Sequence, residues 1–233
     1  MKEKIRSAAA AVLLTGLILL CWQMSVKLRE TIEEGKETFG SAGGSTSVII
    51  LDPGHGGKDP GKIGVNGAEE KDINLNIALK IQGILSEEGI SVSMTRTSDE
   101  RLADSQVEDL RERVDLINKR RPLLVVSIHQ NSYSDESVKG SQVFYFKDSK
   151  EGERAAGCIQ NTLGKLDPDN TKQIKANNTY YLLKNTEVPV IIAECGFLSN
   201  YEEAEKLISE EYQEEIAGAV AEGIMEYVRT SSE

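Results

Sequence analysis

The chain is 233 residues long and carries 38 acidic against 27 basic residues, a formal net charge of −11. That balance argues against nucleic acid as a partner, because phosphate binding needs a basic patch, and it offers no general attraction to an anionic surface. Cys158 and Cys195 are the only cysteines outside an N-terminal apolar run. Their presence establishes no disulfide, and Cys195, set in an apolar segment, is expected to be a packed free thiol.

Lys2, Lys4 and Arg6 precede an apolar run from Ala8 to about Val26, close to the ~20 residues needed to cross a bilayer. Leading positive charge predicts a cytoplasmic N-terminus with everything after Lys27 outside. The alternative is a cleaved signal peptide, but Cys21, Trp22, Gln23 and Met24 offer no small-residue cleavage site, so residues 1–26 are expected to be an uncleaved anchor. Anchored or secreted, the remainder is extracytoplasmic. Residues 27–46 are polar, with Glu30, Glu33, Glu34 and Glu37 suggesting a short solvated helix and "FGSAGGSTS" a flexible tether.

Residues 47–229 suit one domain with a sizeable core, followed by a tail at 230–233. Strands are predicted near 47–52, 90–95, 123–129, 141–147, 180–184 and 189–194, and helices near 70–88, 107–120, 150–164, 201–208 and 211–229. Continuous β-branched runs such as Val48–Leu51, Leu123–Ile128 and Val188–Ala193 fit strands covered on both faces. The fold class is α/β: a single three-layer domain whose mostly parallel or mixed six-stranded sheet is flanked by helices. In helix 107–120, Val107, Leu110, Val114 and Ile117 form an apolar stripe, with Glu108, Arg111, Glu112 and Arg113 expected outside.

Three of the apolar runs end in chemically capable side chains. His55 follows the first, amid Pro53, Gly54, Gly56 and Gly57; His129 ends the second and Glu194 the third. In an open α/β sheet, ligands and catalytic groups gather at the carboxyl ends of the strands. Glu70 opens the helix at 70–88, where a carboxylate also simply complements the helix dipole; a Gly-rich loop could fold it back toward His55. Neutral imidazole and carboxylate suit Zn²⁺, and a catalytic zinc keeps three protein ligands. His55, Glu70 and His129 would fill that set with one zinc per chain, leaving Glu194 to move protons. The plainer reading makes each histidine a hydrogen-bonded structural residue. It is weaker for Glu194, since burying an unpaired carboxylate is costly.

"LDPGHGGKDPGKIG", "NGAEEKDINL", "VSIHQNS" and "VIIAECGFLSN" together resemble the zinc-dependent N-acetylmuramoyl-L-alanine amidases of the Amidase_3 type, over about residues 47 to 229. The resemblance implies that His55, Glu70 and His129 hold zinc and that Glu194, before "GF", is catalytic. Its register, with the ligand directly before Lys-Asp, selects Glu70 over Glu69. Arg96 and Asn131 match the family's strand ends, as substrate contacts or as loop anchors. The implied substrate is the amide joining the lactyl group of muramic acid to L-alanine in peptidoglycan.

The single anchor before a bare domain, with "DLRERVDLIN", "SQVFYF" and "YYLLKN", resembles the spore-cortex members of that family. This implies a role in sporulation, in which stem-peptide removal allows muramic-δ-lactam to form for germination, in the cortex-forming space of the developing spore. The implied partners are peptidoglycan, the membrane through the anchor, and an accessory or activating protein. The alternatives are a non-catalytic, membrane-tethered peptidoglycan-binding protein, a vegetative autolysin, or another zinc hydrolase such as a peptidase.

Overall fold

The computed structural model describes residues 49–231. The expected anchor at 1–26 and tether at 27–46 lie outside the described residues, and no helix among those described is long and apolar enough to cross a membrane.

The sheet of the described residues has six strands, the number expected, although one of them is not where the sequence placed it. It comprises β1 (Ile49–Pro53), β2 (Val92–Met94), β3 (Leu124–Asn131), β4 (Gln142–Phe146), β5 (Lys175–Asn177) and β6 (Val190–Phe197), in the order β2-β1-β3-β6-β4-β5. β2, β1, β3 and β6 run parallel, β4 is antiparallel to β6, and β5 is parallel to β4. From β1 the chain moves outward to β2 and then returns to β3 on the other side of β1, which creates a switch point at the β1/β3 carboxyl ends.

Among the described residues, six helices accompany the sheet: α1 (Glu70–Glu87), α2 (Gln106–Arg120), α3 (Lys150–Gly164), α4 (Tyr181–Asn185), α5 (Tyr201–Leu207) and α6 (Glu210–Ser231). Strand alternation sorts the side chains between two layers. Ile49, Leu51, Val126, Ile128, Ile191 and Ala193 pack with α1, α3 and α6, the larger core. Ile50, Val125, Val190 and Ile192 pack with Val114 and Ile117 of α2 and Leu182 and Leu183 of α4. The same parity puts Asp52, Ser127, His129 and Glu194 on the α2/α4 face. Pro189 precedes β6 and gives its carbonyl to Val125 N–H at 3.0 Å, so its missing N–H leaves the ladder intact.

Two expectations are corrected. Residues 180–184 form no strand; they supply the first turn of α4, and the sixth strand is the short polar edge β5. The Asn177 side chain accepts the N–H groups of Thr179 and Tyr180 at 2.8 and 2.9 Å, turning the chain out of the sheet. The adjacent Leu182 and Leu183 are then both buried, which a helix face permits and strand alternation opposes. On α2, Val107 is 58% exposed, whereas Arg113, expected outside, is 2% exposed. Its guanidinium is drawn inward by Asp52 and Asp109. Cys158 and Cys195 are free, and Cys195 is buried.

Candidate metal centre and cleft

His55 stands one residue beyond Gly54, which itself donates its N–H to the Ile128 carbonyl and keeps the β1 exit against β3. His55 adopts φ 63, a left-handed conformation uncommon outside glycine. Glu70 returns to it because residues 58–69 fold back as a loop. Glu70 N–H donates to the Lys62 carbonyl at 3.0 Å, and Lys62 N–H donates to Glu70 Oε2 at 2.8 Å. His129 ends the regular part of β3, opposite Glu194 of β6, and the register shifts between His129 and Asn131.

These elements bring one donor atom each from His55, Glu70 and His129 within 4.8 Å of one another. His129 Nδ1 lies 2.9 Å from Glu70 Oε1 and His55 Nε2 lies 3.3 Å from Glu70 Oε2. Two imidazole nitrogens and a carboxylate form a donor set that zinc accepts, with room for a further ligand. The surrounding backbone is shaped to it. A Cβ on Gly54 would sit 2.2 Å from the His129 ring, and one on Gly61 would sit 2.5 Å from Glu70 Oε2 and 2.7 Å from the His55 ring. Glu69 points away, with its side chain 42% exposed and paired to Lys71 at 3.2 Å.

Hydrogen bonds behind the donors orient them. His55 Nδ1 lies 3.0 Å from Asp59 Oδ2, so a neutral His55 that donates there presents its Nε2 lone pair to the centre. Glu70 Oε1 accepts the Gln130 N–H at 3.1 Å and the Asn74 amide at 3.3 Å. Asp59 and Asn74 were missed in the sequence, although each stands four residues after the group it serves, a helical spacing in the case of Asn74.

Burial pulls His55 down, but the hydrogen bond and charge of Glu70, then those of Asp59, outweigh it and raise its pKa to about 9. Glu70 feels burial upward, yet the two histidines hold it well below the usual carboxylate range. Glu194 is different: burial dominates, Glu70 adds repulsion against the opposing pull of His129 and His55, and its pKa rises to about 7. Its Oε2 is buried without a hydrogen-bond partner. A carboxylate so placed is set up to hold or release a proton.

The cleft over these groups is about 380 Å³. Asn131, Leu110, Ile192 and Tyr180 line it. Arg96 does not line it. Arg96 is 5% exposed, and its guanidinium donates to the main-chain carbonyls of Pro53, Gly54, Lys71 and Ser98, which makes it a loop anchor.

Against known families, residues 49–226 match the model of the N-acetylmuramoyl-L-alanine amidases, Amidase_3. The chain belongs to that family. As an amidase it is an enzyme that acts on peptidoglycan. It is 38% identical over 191 residues to the germination-specific N-acetylmuramoyl-L-alanine amidase of Bacillus subtilis, covering 78% of this chain and 80% of that protein. The amidase domain also superposes on the CwlD amidase of Clostridioides difficile, solved in complex with the GerS lipoprotein. That match has a TM-score of 0.76 and 37% identity over 79% of this chain and 99% of that one. The catalytic domain of the amidase CwlV from Paenibacillus polymyxa matches with a TM-score of 0.71 and 28% identity, over 78% of this chain and 98% of that one.

Proposed function

We propose that this amidase hydrolyses the bond between the lactyl group of muramic acid and L-alanine of the stem peptide, using one zinc ion held by His55, Glu70 and His129. The observation that carries the reading is the convergence of those three donors within 4.8 Å, beside a buried carboxylate with an unpartnered oxygen. A zinc ion held by these three residues would supply Lewis acidity for the hydrolysis.

The chain's own groups do the rest. Glu194 accepts a proton from the attacking water and gives one to the departing alanine nitrogen as the C–N bond breaks. A carboxyl held near neutrality by burial serves both halves of that exchange. Asp59 keeps the Nδ1 proton on His55, and Asn74 with the Gln130 N–H keeps Glu70 turned inward. Asn131, on the cleft wall, is a substrate contact in this reading.

The biological setting we infer is the spore cortex, outside the cytoplasmic membrane, where removal of stem peptides permits muramic-δ-lactam formation. The germination-specific relative supports it. The complex formed by the CwlD homologue supports an accessory protein for this chain as well. A Bacillus subtilis strain lacking its germination-specific amidase tests the setting. The full-length chain should restore cortex muramic-δ-lactam, and its Glu194→Gln variant should not. Cortex without lactam, made by a protein that digests vegetative wall, would assign it to vegetative growth instead.

A further inference from the structure

Behind the donor side chains lies a buried polar layer that the proposed reaction leaves unused. His55 holds φ 63, a conformation that persists in a non-glycine residue when its surroundings over-determine it. Two arginines over-determine it. Arg113 donates through Nη1 to the Pro53 carbonyl at 2.9 Å and through Nη2 to the His55 carbonyl at 2.8 Å. Arg96 donates through Nε to the Pro53 carbonyl at 3.0 Å and through Nη2 to the carbonyls of Gly54 at 3.0 Å and Lys71 at 2.7 Å.

The three consecutive carbonyls at the β1 exit are therefore all accounted for, along with the carbonyl next to Glu70. Arg113 is fixed in turn by carboxylates, whereas Arg96 is held by main-chain carbonyls alone. Asp52 Oδ1 receives Arg113 Nη1 at 2.6 Å and Asp109 Oδ2 receives its Nε at 2.7 Å, while Thr95 and Ser127 donate to the Asp52 carboxylate at 2.7 Å each. Arg113 is 2% and Arg96 5% exposed.

We propose that Arg96 and Arg113 are positioning residues, a paired clamp on the carbonyls of Pro53, Gly54, His55 and Lys71 that sets His55 against Glu70 before a metal arrives. A planar guanidinium spreads its donors over three nitrogens and so spans such carbonyls; a lysine ammonium keeps the charge, but its three N–H donors diverge from one nitrogen and lack the fork. The proposal rests on the reading of His55 and Glu70 as metal ligands.

Arg113→Lys and Arg96→Lys test it in the full-length protein, with Ile224→Val, a truncation in the opposite core layer, as the control for lost stability alone. Three quantities are measured: zinc affinity by chelator competition, the thermal midpoint of the metal-free protein, and the visible spectrum of the Co²⁺-loaded form. The lysine variants should lose about 10- to 100-fold in zinc affinity and shift the cobalt bands, while Ile224→Val lowers the midpoint and changes neither. Wild-type affinity and an unaltered cobalt spectrum in the lysine variants would overturn the clamp, however far their midpoints fall. If Arg113→Lys does not fold, Arg96→Lys decides alone. Wild-type protein that binds no metal, or affinity that survives His55→Ala, would instead fail the ligand reading and the clamp with it.

Discussion

His129 and Glu194 are direct partners across the parallel strands β3 and β6. Partnered residues share a face of the sheet, so a metal-ligating candidate and a proton-carrying candidate stand side by side on rigid elements. The register shift that follows, between His129 and Asn131, ends regular pairing where the cleft begins.

If Glu194 moves protons and holds no metal, Glu194→Gln should keep the zinc content of the wild type while amide hydrolysis falls roughly 10²- to 10⁴-fold. Metal analysis alongside stem-peptide release checks this. Full activity in the variant would remove Glu194 from the reaction.

Glu70 and Glu69 are adjacent in sequence and opposite in fate. Glu70→Gln should lose bound zinc. Glu69→Gln should retain zinc and activity and change stability by no more than about 1 kcal/mol, the range of an exposed ion pair. Metal content of the two purified variants separates them, and loss of zinc in the Glu69 variant would move the ligand by one residue.

Gly54→Ala tests the cradle. Its new methyl would meet the His129 ring at 2.2 Å, and that ring cannot yield without leaving the centre. Zinc affinity should fall about tenfold or more, as for other disturbances behind a ligand, in a protein whose circular dichroism is unchanged. Unaltered affinity would show that His129 is free to shift without consequence.

Asp52 links the site's support to acid stability. Burial opposes its charge, but Arg113, Ser127 and Thr95 outweigh burial and hold its carboxyl below the ordinary value of 3.8. Protonation therefore favours the unfolded chain. The stabilisation is fully present above the ordinary value and is lost as pH falls through the lower folded one. Asp52→Asn should cost about 3 kcal/mol at neutral pH and flatten the acid limb of the stability curve in urea unfolding at stepped pH. An acid limb as steep as that of the wild type would assign the loss to other carboxylates.

The apolar runs before His55, His129 and Glu194 were legible because β1, β3 and β6 are largely buried on both faces, whereas the strand ends were not, since β3 continues to Asn131 and β6 to Phe197 through residues that break the apolar pattern. Glu70 was legible as a helix start and, through the resemblance, as a candidate ligand that the fold brings beside His55 and His129. The edge was not: Lys-Ala-Asn of β5 carries no apolar signal, and the neighbouring "YYLL" borrowed its place. Nor were the buried polar contacts, since Arg113 reaches Asp52 across 61 residues of chain and helical periodicity assigns a charged side chain to solvent. Arg96 was legible only as a residue with two readings, because a loop anchor and a substrate contact share the same strand end.

The most direct measurement is product analysis. The full-length protein, loaded with zinc, is incubated with purified peptidoglycan with and without chelator, and the soluble products are identified by mass spectrometry. Zinc-dependent release of intact stem peptides with a free L-alanine amino terminus is the expected result. Cleavage within the stem that leaves the muramoyl amide intact, or release undiminished by metal removal, would contradict a zinc amidase built on His55, Glu70, His129 and Glu194.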